Sequence, residues 1–264
     1  MAIGDIIVGI DIGTSKVSTV VGEVNNFKQI EIICNTCCRC NGMAKGQIID
    51  GDAISIAISK TIREAEEIAN FKISSAYITI PGKYTTIVQN SVVKETKDRF
   101  DGISYKDVVS ALSSVKEIEM PDDEVSIDII PDKFILEDGK TVEDPVGSYC
   151  SSFTLMAQLI LADKDYIKKI TNICRRAGIE IDGIVPITLA ERNLVLDGSE
   201  MNDNVMILDI GAGNTEIGIF KGNSFIFNDT LPLGGDNITS DIAYVLNISK
   251  EEADKLKRQY GLAL

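Results

Sequence analysis

A short pattern near the N-terminus, Val8–Val17, returns in altered form at residues 207–215. Each copy consists of an apolar run, an aspartate, a glycine-rich turn with small polar side chains, and a second apolar run. Apolar runs of this length that are bounded by turn residues predict buried strands. The chain must therefore accommodate two β-hairpins with glycine-rich tips.

The composition of these tips suits the binding of phosphate. Glycine lets the backbone approach a ligand closely, and successive backbone N–H groups form a concavity that attracts anions. Asp11 and Asp209 would repel phosphate, but Mg²⁺ prefers carboxylate, water and phosphate oxygens. A single Asp-Gly turn occurs in many β-proteins, whereas two such hairpins that face each other would hold a nucleoside triphosphate and its metal ion.

Other features of the sequence exclude some function classes. It contains neither a GxxxxGK[ST] loop nor a GxGxxG fingerprint. The formal net charge of −14 argues against a surface that binds nucleic acid. The hydrophobic content of 44% supports folded domains, and there is no run of 18 apolar residues and no secretory signal. We therefore expect a cytoplasmic protein.

Four of the six cysteines cluster at Cys34, Cys37, Cys38 and Cys40, and the chain has no histidine. This spacing could offer thiolates to zinc or to an iron–sulfur cluster. The second half of a zinc-ribbon pattern is missing, however. We expect reduced, structural cysteines between a strand over Gln29–Ile33 and a glycine-rich turn.

Strands and a helix alternate in the first 82 residues, which indicates a layered α/β arrangement. A strand over Gly46–Ile49 precedes a helix for which Asp52 is the expected N-cap, and a strand over Ala76–Ile80 follows it. The helix carries one apolar face, formed by Ile54, Ile58, Ile62, Ala65 and Ala69.

The pattern changes after Pro81-Gly82 to strand, helix, strand, strand, which predicts a small domain inserted between Lys83 and about Ala162. Its expected elements are a strand over Thr85–Val93, a helix that begins at Ser104, strands over Val125–Ile130 and Lys133–Leu136 with a turn at Pro131-Asp132 between them, and a strand over Phe153–Leu161.

The α/β pattern then resumes on both sides of the second hairpin. Gly234 and Gly235 open a helix whose N-terminus would favour phosphate, although a simple glycine-rich turn is the alternative. The remaining expected elements are a helix capped by Asp163, a strand over Ile181–Val185, a helix from Thr188, a strand over Ser224–Thr230, and a last helix that begins at a Ser249–Glu252 capping box.

Four stretches resemble the actin-like superfamily of ATPases, chaperones and sugar kinases, and within it the bacterial FtsA family. They are Ile10–Lys16, Ile130–Asp132 with Asp144–Gly147, Asp209–Thr215, and Leu233–Ala243. The second stretch is the most specific, because it lies in the inserted region that distinguishes this family.

The resemblance implies an α/β fold that is actin-like (ribonuclease H-like), in which two domains close on ATP and an α+β subdomain is inserted. The implied parts are a first-domain core from residues 1–82 and 163–197, an inserted subdomain over residues 83–162, and the start of an incomplete second domain over residues 198–264. On this basis we expect the chain to be a truncated form of a longer protein.

The resemblance also implies roles for individual residues. The first phosphate loop would be Gly13, Thr14, Ser15 and Lys16, and the second Gly211, Ala212, Gly213, Asn214 and Thr215. Asp11 and Asp209 would face Mg²⁺ through water. Gly234 and Gly235 would form the turn beneath the nucleotide, with Asp254 and Lys257 near the ribose and adenine. Glu191 would position the attacking water.

Two departures from the family pattern lie in the second hairpin. Ala212 adds a methyl group, and Asn214 replaces a hydroxyl at the phosphate turn. We therefore expect at most weak ATP hydrolysis, with ATP acting mainly as a conformational ligand that biases the two halves toward a closed form.

By resemblance, the protein would polymerise under the cell membrane, anchor filaments of the tubulin-like protein FtsZ and recruit other division proteins. Family members bind the membrane through a C-terminal amphipathic helix that this chain lacks. The alternatives are a related pilus-assembly scaffold and a small-molecule kinase of the same superfamily.

Overall fold

The computed structural model describes residues 2–96, 102–117 and 120–262. Within these ranges the strands are β1 (Ile6–Ile12), β2 (Lys16–Val24), β3 (Ile30–Arg39), β4 (Met43–Ala44), β5 (Gln47–Ile48), β6 (Ser75–Ile80), β7 (Thr85–Glu95), β8 (Glu124–Leu136), β9 (Thr141–Val142), β10 (Ser152–Asp163), β11 (Glu180–Pro186), β12 (Asn204–Ile210), β13 (Thr215–Lys221) and β14 (Ser224–Leu231). The helices are α1 (Gly51–Ala69), α2 (Tyr105–Val115), α3 (Lys164–Arg176), α4 (Ile187–Val195), α5 (Gly235–Leu246) and α6 (Lys250–Tyr260).

A mixed sheet with the strand order β11-β6-β1-β2-β3 forms the first part of the fold. Strands β1, β6 and β11 run parallel, whereas β1, β2 and β3 form an antiparallel meander that contains the first hairpin. Helices α1 and α3 pack on this sheet through a core that includes Ile10, Ile58, Ile78 and Ile170. The predicted α/β layers and the apolar face of α1 are confirmed.

The N-cap of α1 is Asp50, and the prediction of Asp52 was wrong. The Asp50 backbone is extended, and its carboxylate accepts hydrogen bonds from the N–H groups of Asp52 and Ala53, each at 3.0 Å. Asp52 instead points outward and pairs with Arg176. Asp50 and Asp52 both have a side chain that suits an N-cap. Asp50 is the cap because its backbone is extended, whereas Asp52 already lies in the first turn of the helix.

The cysteine cluster does not follow a strand, as predicted, but lies largely inside one. Strand β3 continues to Arg39, so alternate side chains point to opposite faces of the sheet. Cys34 is buried against the core, whereas Cys37 is exposed. Within the described residues, no group of three or more Cys, Asp or Glu side chains is arranged to hold a metal ion. The strand predicted over Gly46–Ile49 is only a two-residue ladder between β4 and β5.

The inserted region forms an antiparallel sheet with the order β7-β10-β8-β9, covered on one face by α2. The prediction of two strands separated by a turn at Pro131-Asp132 was wrong, because β8 runs unbroken through these residues. Asp132 has no partner on β10 and forms a β-bulge, since Lys133 pairs with Met156 and Pro131 with Ala157. A proline is tolerated there because β9 pairs only with Phe134 and Ile135, which leaves β8 as an edge strand at Pro131.

A third sheet, the meander β12-β13-β14, contains the second hairpin. It packs against the inserted sheet through Phe220 and Phe225, whose rings stack at 4.6 Å, and through Ile160 of β10. Helix α4 joins the first part to this sheet, and its Arg192 donates hydrogen bonds to the carbonyl groups of Met201 and Gly222. The two hairpins are therefore held on separate sheets that face each other.

Candidate functional site between the hairpin tips

The two hairpins close with the same geometry. Ile12 pairs with Val17 in the first, and Ile210 pairs with Thr215 in the second, so four residues form each tip. In both tips the first residue donates its N–H to the carbonyl of the fourth at 2.9 Å, from Gly13 to Lys16 and from Gly211 to Asn214. The repeated sequence pattern thus produces a repeated backbone structure, and the prediction of two glycine-tipped hairpins is confirmed.

The tips meet each other across the two sheets. The Thr14 hydroxyl donates a hydrogen bond to Oδ1 of Asn214 at 2.8 Å. A methyl group on Gly213 would lie 2.6 Å from Cγ2 of Thr14, a distance that side chains do not tolerate. Gly213 is therefore required for the close approach of the second tip to the first.

A cavity of about 260 Å³ opens between the tips. Its lining residues come from both hairpins and from three neighbouring segments: Asp11, Ile12, Gly13, Thr14, Ser15, Lys16, Met43, Gly46, Pro81, Ile187, Asp209, Gly211, Ala212 and Asn214. The backbone N–H groups of Thr14, Ser15, Ala212 and Gly213 donate to no acceptor in the described part of the chain. The site therefore offers unpaired donors from both tips, as an anion-binding concavity requires.

Two carboxylates lie in the same cavity. Asp11 accepts a hydrogen bond from the Thr79 hydroxyl at 2.8 Å, which fixes its orientation. Burial raises the pKa of Asp209, the negative charge of Asp11 raises it further, and the ammonium of Lys16 opposes both effects. A buried carboxylate beside a second carboxylate favours a cation between them.

Glu191 of α4 lies beside these acids, at the wall of a second, more open cavity of about 360 Å³ that it shares with Asp209. Its Oε2 atom is buried and has no hydrogen-bond partner among the described residues. Burial raises the pKa of Glu191 to about 7, and the charges of Asp209, Asp11 and Glu216 contribute. A carboxyl group with this pKa exchanges protons near neutral pH.

Gly234 and Gly235, at the start of α5, support the second tip. The N–H groups of Gly235 and Asp236 donate to the carbonyls of Gly211 and Ala212 at 2.9 and 2.7 Å. A methyl group on Gly234 would lie 2.5 Å from the Ala212 carbonyl oxygen. These N–H groups at the start of α5, which the sequence suggested for phosphate, thus bond to the tip itself in this structure.

Asp254 and Lys257 lie behind the second tip, outside the residues that line the cavity. The Lys257 ammonium donates to the Gly235 carbonyl at 3.0 Å and to the Thr239 hydroxyl at 2.6 Å, and it pairs with Asp254 at 3.0 Å. Thr215 also faces this side, because its hydroxyl donates to the Leu233 carbonyl. The structure therefore brings these residues to the rear of the tip.

Sequence reasoning missed Glu216 and the wall segment that contains Met43 and Gly46. Glu216 is only 1% exposed, and three donors surround its carboxylate. The sequence could have indicated Glu216, because this residue comes two positions after the second tip and lies on the buried side of β13. Gly46 has a φ of +68°, whereas the sequence-based prediction took it as the first residue of a strand.

Two family models match the chain. One is described as the SHS2 domain inserted in FTSA and matches residues 82–161, and the other is described as cell division protein FtsA and matches residues 206–264. Together they cover more than half of the chain, and curated relatives extend the match to nearly all of it.

The chain belongs to the FtsA family.

The FtsA proteins of Bacillus subtilis and Escherichia coli K12 are 30% and 28% identical to this member over 98% of its length. The alignments cover 59% and 61% of those two proteins, so this FtsA-family chain spans about 60% of the length of the curated relatives that it matches.

Solved structures establish the fold of this FtsA-family chain. It superposes on a chain of the PilM–PilN type IV pilus biogenesis complex with a TM-score of 0.65 and 17% identity, covering 97% of this chain and 70% of that one. It also superposes on the ethanolamine utilization protein EutJ from Carboxydothermus hydrogenoformans, with a TM-score of 0.55 and 15% identity, covering 97% of this chain and 62% of that one. The fold is thus the actin-like α/β fold with an inserted subdomain. In the ranges that the structure describes, every helix is too short or too polar to cross a bilayer.

Proposed function

We propose that this FtsA-family chain is part of an actin-like cell-division protein that binds ATP between its two hairpin tips. The observation that carries the proposal is the pair of tips that face each other with unpaired N–H groups on both sides of one cavity. We further propose residues 1–82 with 163–197 as the first-domain core, 83–162 as the inserted subdomain and 198–264 as the start of the second domain.

The residues present fit a nucleotide with Mg²⁺. Gly13, Thr14, Ser15 and Lys16 would hold phosphate from one side, and Gly211, Ala212, Gly213, Asn214 and Thr215 from the other. Asp11 and Asp209 would face the metal through water, because a cation would offset the burial of Asp209 and its repulsion from Asp11. Gly234, Gly235, Asp254 and Lys257 would form the nucleoside side from behind the second tip.

ATP would act mainly as a conformational ligand in this protein. Its phosphates would connect tips that belong to different sheets, and so favour the closed arrangement of the two halves. Glu191 is well placed to hold a water or a proton beside Asp11 and Asp209, since it lies beside them and has a pKa near neutrality. We expect ATP hydrolysis to be weak for two reasons. Ala212 adds a methyl group at the phosphate turn, and the Asn214 amide is already hydrogen-bonded to Thr14 and Glu216.

In the cell we propose the role that the names of the relatives indicate, which is division. The whole protein would self-associate into filaments on the inner face of the cell membrane at the division site. It would bind FtsZ filaments there, recruit further division proteins, and attach to the membrane through a C-terminal amphipathic helix of the family. The acidic surface fits protein partners better than nucleic acid.

A pilus-assembly scaffold is the second candidate, and the similarity to the PilM–PilN complex favours it. That similarity concerns the fold, whereas the sequence matches are to division proteins. Co-sedimentation with FtsZ filaments separates the two candidates, because a division protein is expected in the pellet with FtsZ and a pilus scaffold in the supernatant.

Calorimetric titration with Mg²⁺-ATP tests nucleotide binding. We expect saturable binding by the natural chain and none by an Asp11→Ala, Asp209→Ala double variant. Gly213→Ala should weaken binding about tenfold or more, since its methyl group forces the tips apart. Gly9→Ala is the matched control, because nothing lies within 4 Å of a methyl group there. Failure of the natural chain to bind, or equal binding by the double variant, would contradict the proposal.

A further inference from the structure

The carboxylate of Glu216 is the centre of a buried polar cluster between the two halves of the fold. Its Oε2 atom accepts hydrogen bonds from the backbone N–H of Gly82 and from the Thr230 hydroxyl, both at 2.8 Å. Its Oε1 atom accepts from Nδ2 of Asn214 at 2.5 Å. Three donors thus share one carboxylate that is almost fully removed from solvent, and burying it would be unfavourable without them.

These contacts continue in both directions from Glu216. On one side, Asn214 accepts the hydrogen bond of the Thr14 hydroxyl, so the carboxylate is connected to the first tip through the second. On the other side, Gly82 belongs to the turn at residues 82–84, which leads directly into β7. Four groups therefore form an unbroken chain of hydrogen bonds from the cavity to the beginning of the inserted sheet.

Burial raises the pKa of Glu216, and the hydrogen bonds from Gly82, Thr230 and Asn214 oppose this effect. When the carboxylate is ionised, it also determines the direction of this hydrogen-bond chain. A carboxylate can only accept, so the Asn214 amide must turn its NH₂ group toward Glu216 and its oxygen toward Thr14. The Thr14 hydroxyl must then donate to that oxygen, which leaves its lone pairs directed elsewhere. Thr14 thus presents an acceptor to the cavity, while the backbone N–H groups beside it present donors.

The turn at residues 82–84 has little freedom to move independently of Glu216. A methyl group on Gly82 would lie 2.7 to 2.9 Å from the backbone of Asp229, so β14 packs directly against this turn. The N–H of Lys83 donates to the Thr230 hydroxyl at 3.1 Å, and that hydroxyl donates in turn to Glu216. The N–H of Gly82 therefore bonds to Glu216 directly, and the N–H of Lys83 is connected to it through the Thr230 hydroxyl.

We propose that Glu216 is a positioning residue that couples the two hairpin tips to the turn from which the inserted sheet begins. A change at the tips would be transmitted through Asn214 and Glu216 to Gly82, and so to the orientation of β7. The ligand-driven part of this inference rests on the proposed nucleotide function, whereas the coupling itself is a property of the ligand-free chain.

Hydrogen exchange of the ligand-free chain, followed by mass spectrometry, tests the coupling. Thr14→Val removes the donor at the far end of the hydrogen-bond chain, and Thr14 makes no hydrogen bond to the turn. We expect it to raise exchange of the amides at residues 82–88 about fivefold, the effect of about 1 kcal/mol. Thr14→Ser, which keeps the hydroxyl, should restore the natural rate.

The matched control for this experiment is Ser224→Ala. It removes a hydrogen bond of 2.6 Å to Asp132, which also connects the third sheet to the inserted sheet but lies outside the hydrogen-bond chain. We expect exchange at residues 82–88 to stay within about twofold of the natural rate. Equal effects of Thr14→Val and Ser224→Ala would show general loosening of the interface and would overturn the proposal.

A second measurement adds Mg²⁺-ATP and uses Glu216→Gln. In the natural chain, nucleotide should slow hydrogen exchange at residues 82–95. In the Glu216→Gln variant saturated with Mg²⁺-ATP, this slowing should be lost. Slowing that persists in saturated Glu216→Gln would overturn the coupling. If the natural chain binds no nucleotide, the proposed function fails, and the ligand-free experiment decides the coupling by itself.

Discussion

Glu191 shows how one side chain can acquire its chemistry from residues that are far away in the sequence. Its own helix supplies no charged neighbour that explains its pKa; the causes are burial and the carboxylates of Asp209, Asp11 and Glu216. These acids come from both hairpins, which approach α4 only in the folded chain. The proton affinity of Glu191 is therefore a property of the assembled site.

This proton affinity predicts a pH dependence of stability. The pKa of Glu191 rises from an ordinary value of 4.5 to about 7 on folding, so folding takes up a proton. The stabilising contribution of protonated Glu191 is complete below the unfolded pKa and is lost as the pH rises through about 7. Glu191→Gln should nearly match the natural chain at about pH 4, below the unfolded pKa, and exceed its free energy of unfolding by about 1 kcal/mol at pH 8, after allowance for partial exposure.

Urea unfolding at several pH values measures this difference. Glu180→Gln is the control, since Glu180 is an exposed carboxylate at the start of β11, and it should follow the pH dependence of the natural chain. A difference between Glu191→Gln and the natural chain that does not grow between about pH 4 and pH 8 would contradict the prediction.

At the scale of single elements, the caps of the helices were largely predictable. Ser104, Asp163 and Ser249 cap α2, α3 and α6 through their own side chains, as the sequence indicated. These caps depend on residues within one turn of each other, so local sequence determines them. For α1, with Asp50 and Asp52 two residues apart, local sequence did not distinguish between the two aspartates.

Substitution of these two aspartates gives a direct comparison. Asp50→Ala removes the acceptor of two N–H groups of α1 and should lower the free energy of unfolding by about 1 kcal/mol. Asp52→Ala removes only an exposed ion pair with Arg176 and should cost less than about 0.5 kcal/mol. Urea denaturation of both variants provides the test, and a larger cost for Asp52→Ala would assign the cap to that residue.

Elements whose course depends on a partner strand were harder to predict. Pro131-Asp132 has the composition of a turn, yet β10 holds both residues within one strand and displaces only Asp132 into a bulge. The same limit applies to the site. The hairpin tips follow from a local pattern that is present twice, whereas the burial of Glu216 depends on Gly82 and Thr230, which sequence spacing does not place beside it.

At the scale of the whole molecule, a buried amide on β10 helps to fasten the inserted sheet to the third sheet. Gln158 of β10 is 2% exposed, donates to the Phe225 carbonyl at 2.8 Å and accepts from the Phe225 N–H at 2.7 Å. A neighbouring strand would make the same two hydrogen bonds with the Phe225 backbone, but here the Gln158 side-chain amide makes them. The packing of Phe220 and Phe225 surrounds it with apolar side chains.

Gln158→Met should therefore destabilise the chain strongly. The side chain keeps its approximate volume, but the N–H and the carbonyl of Phe225 lose their partners in a buried environment, which costs about 2–3 kcal/mol. Gln89→Met is the matched control, because Gln89 pairs with Gln158 in the sheet yet is exposed on β7. Thermal and urea unfolding should separate the variants, and equal stability of the two would contradict this account.

The inserted sheet also begins and ends at neighbouring points. Thr85, where it starts, pairs directly with Ala162, one residue before it ends, so the entry and exit lie one strand spacing apart. A segment with adjacent ends can be lengthened or shortened away from those ends while its attachment to the framework is kept. Evolution can therefore revise the far side of this module, and with it the contacts it offers to other molecules, while the residues that contact the third sheet stay constant.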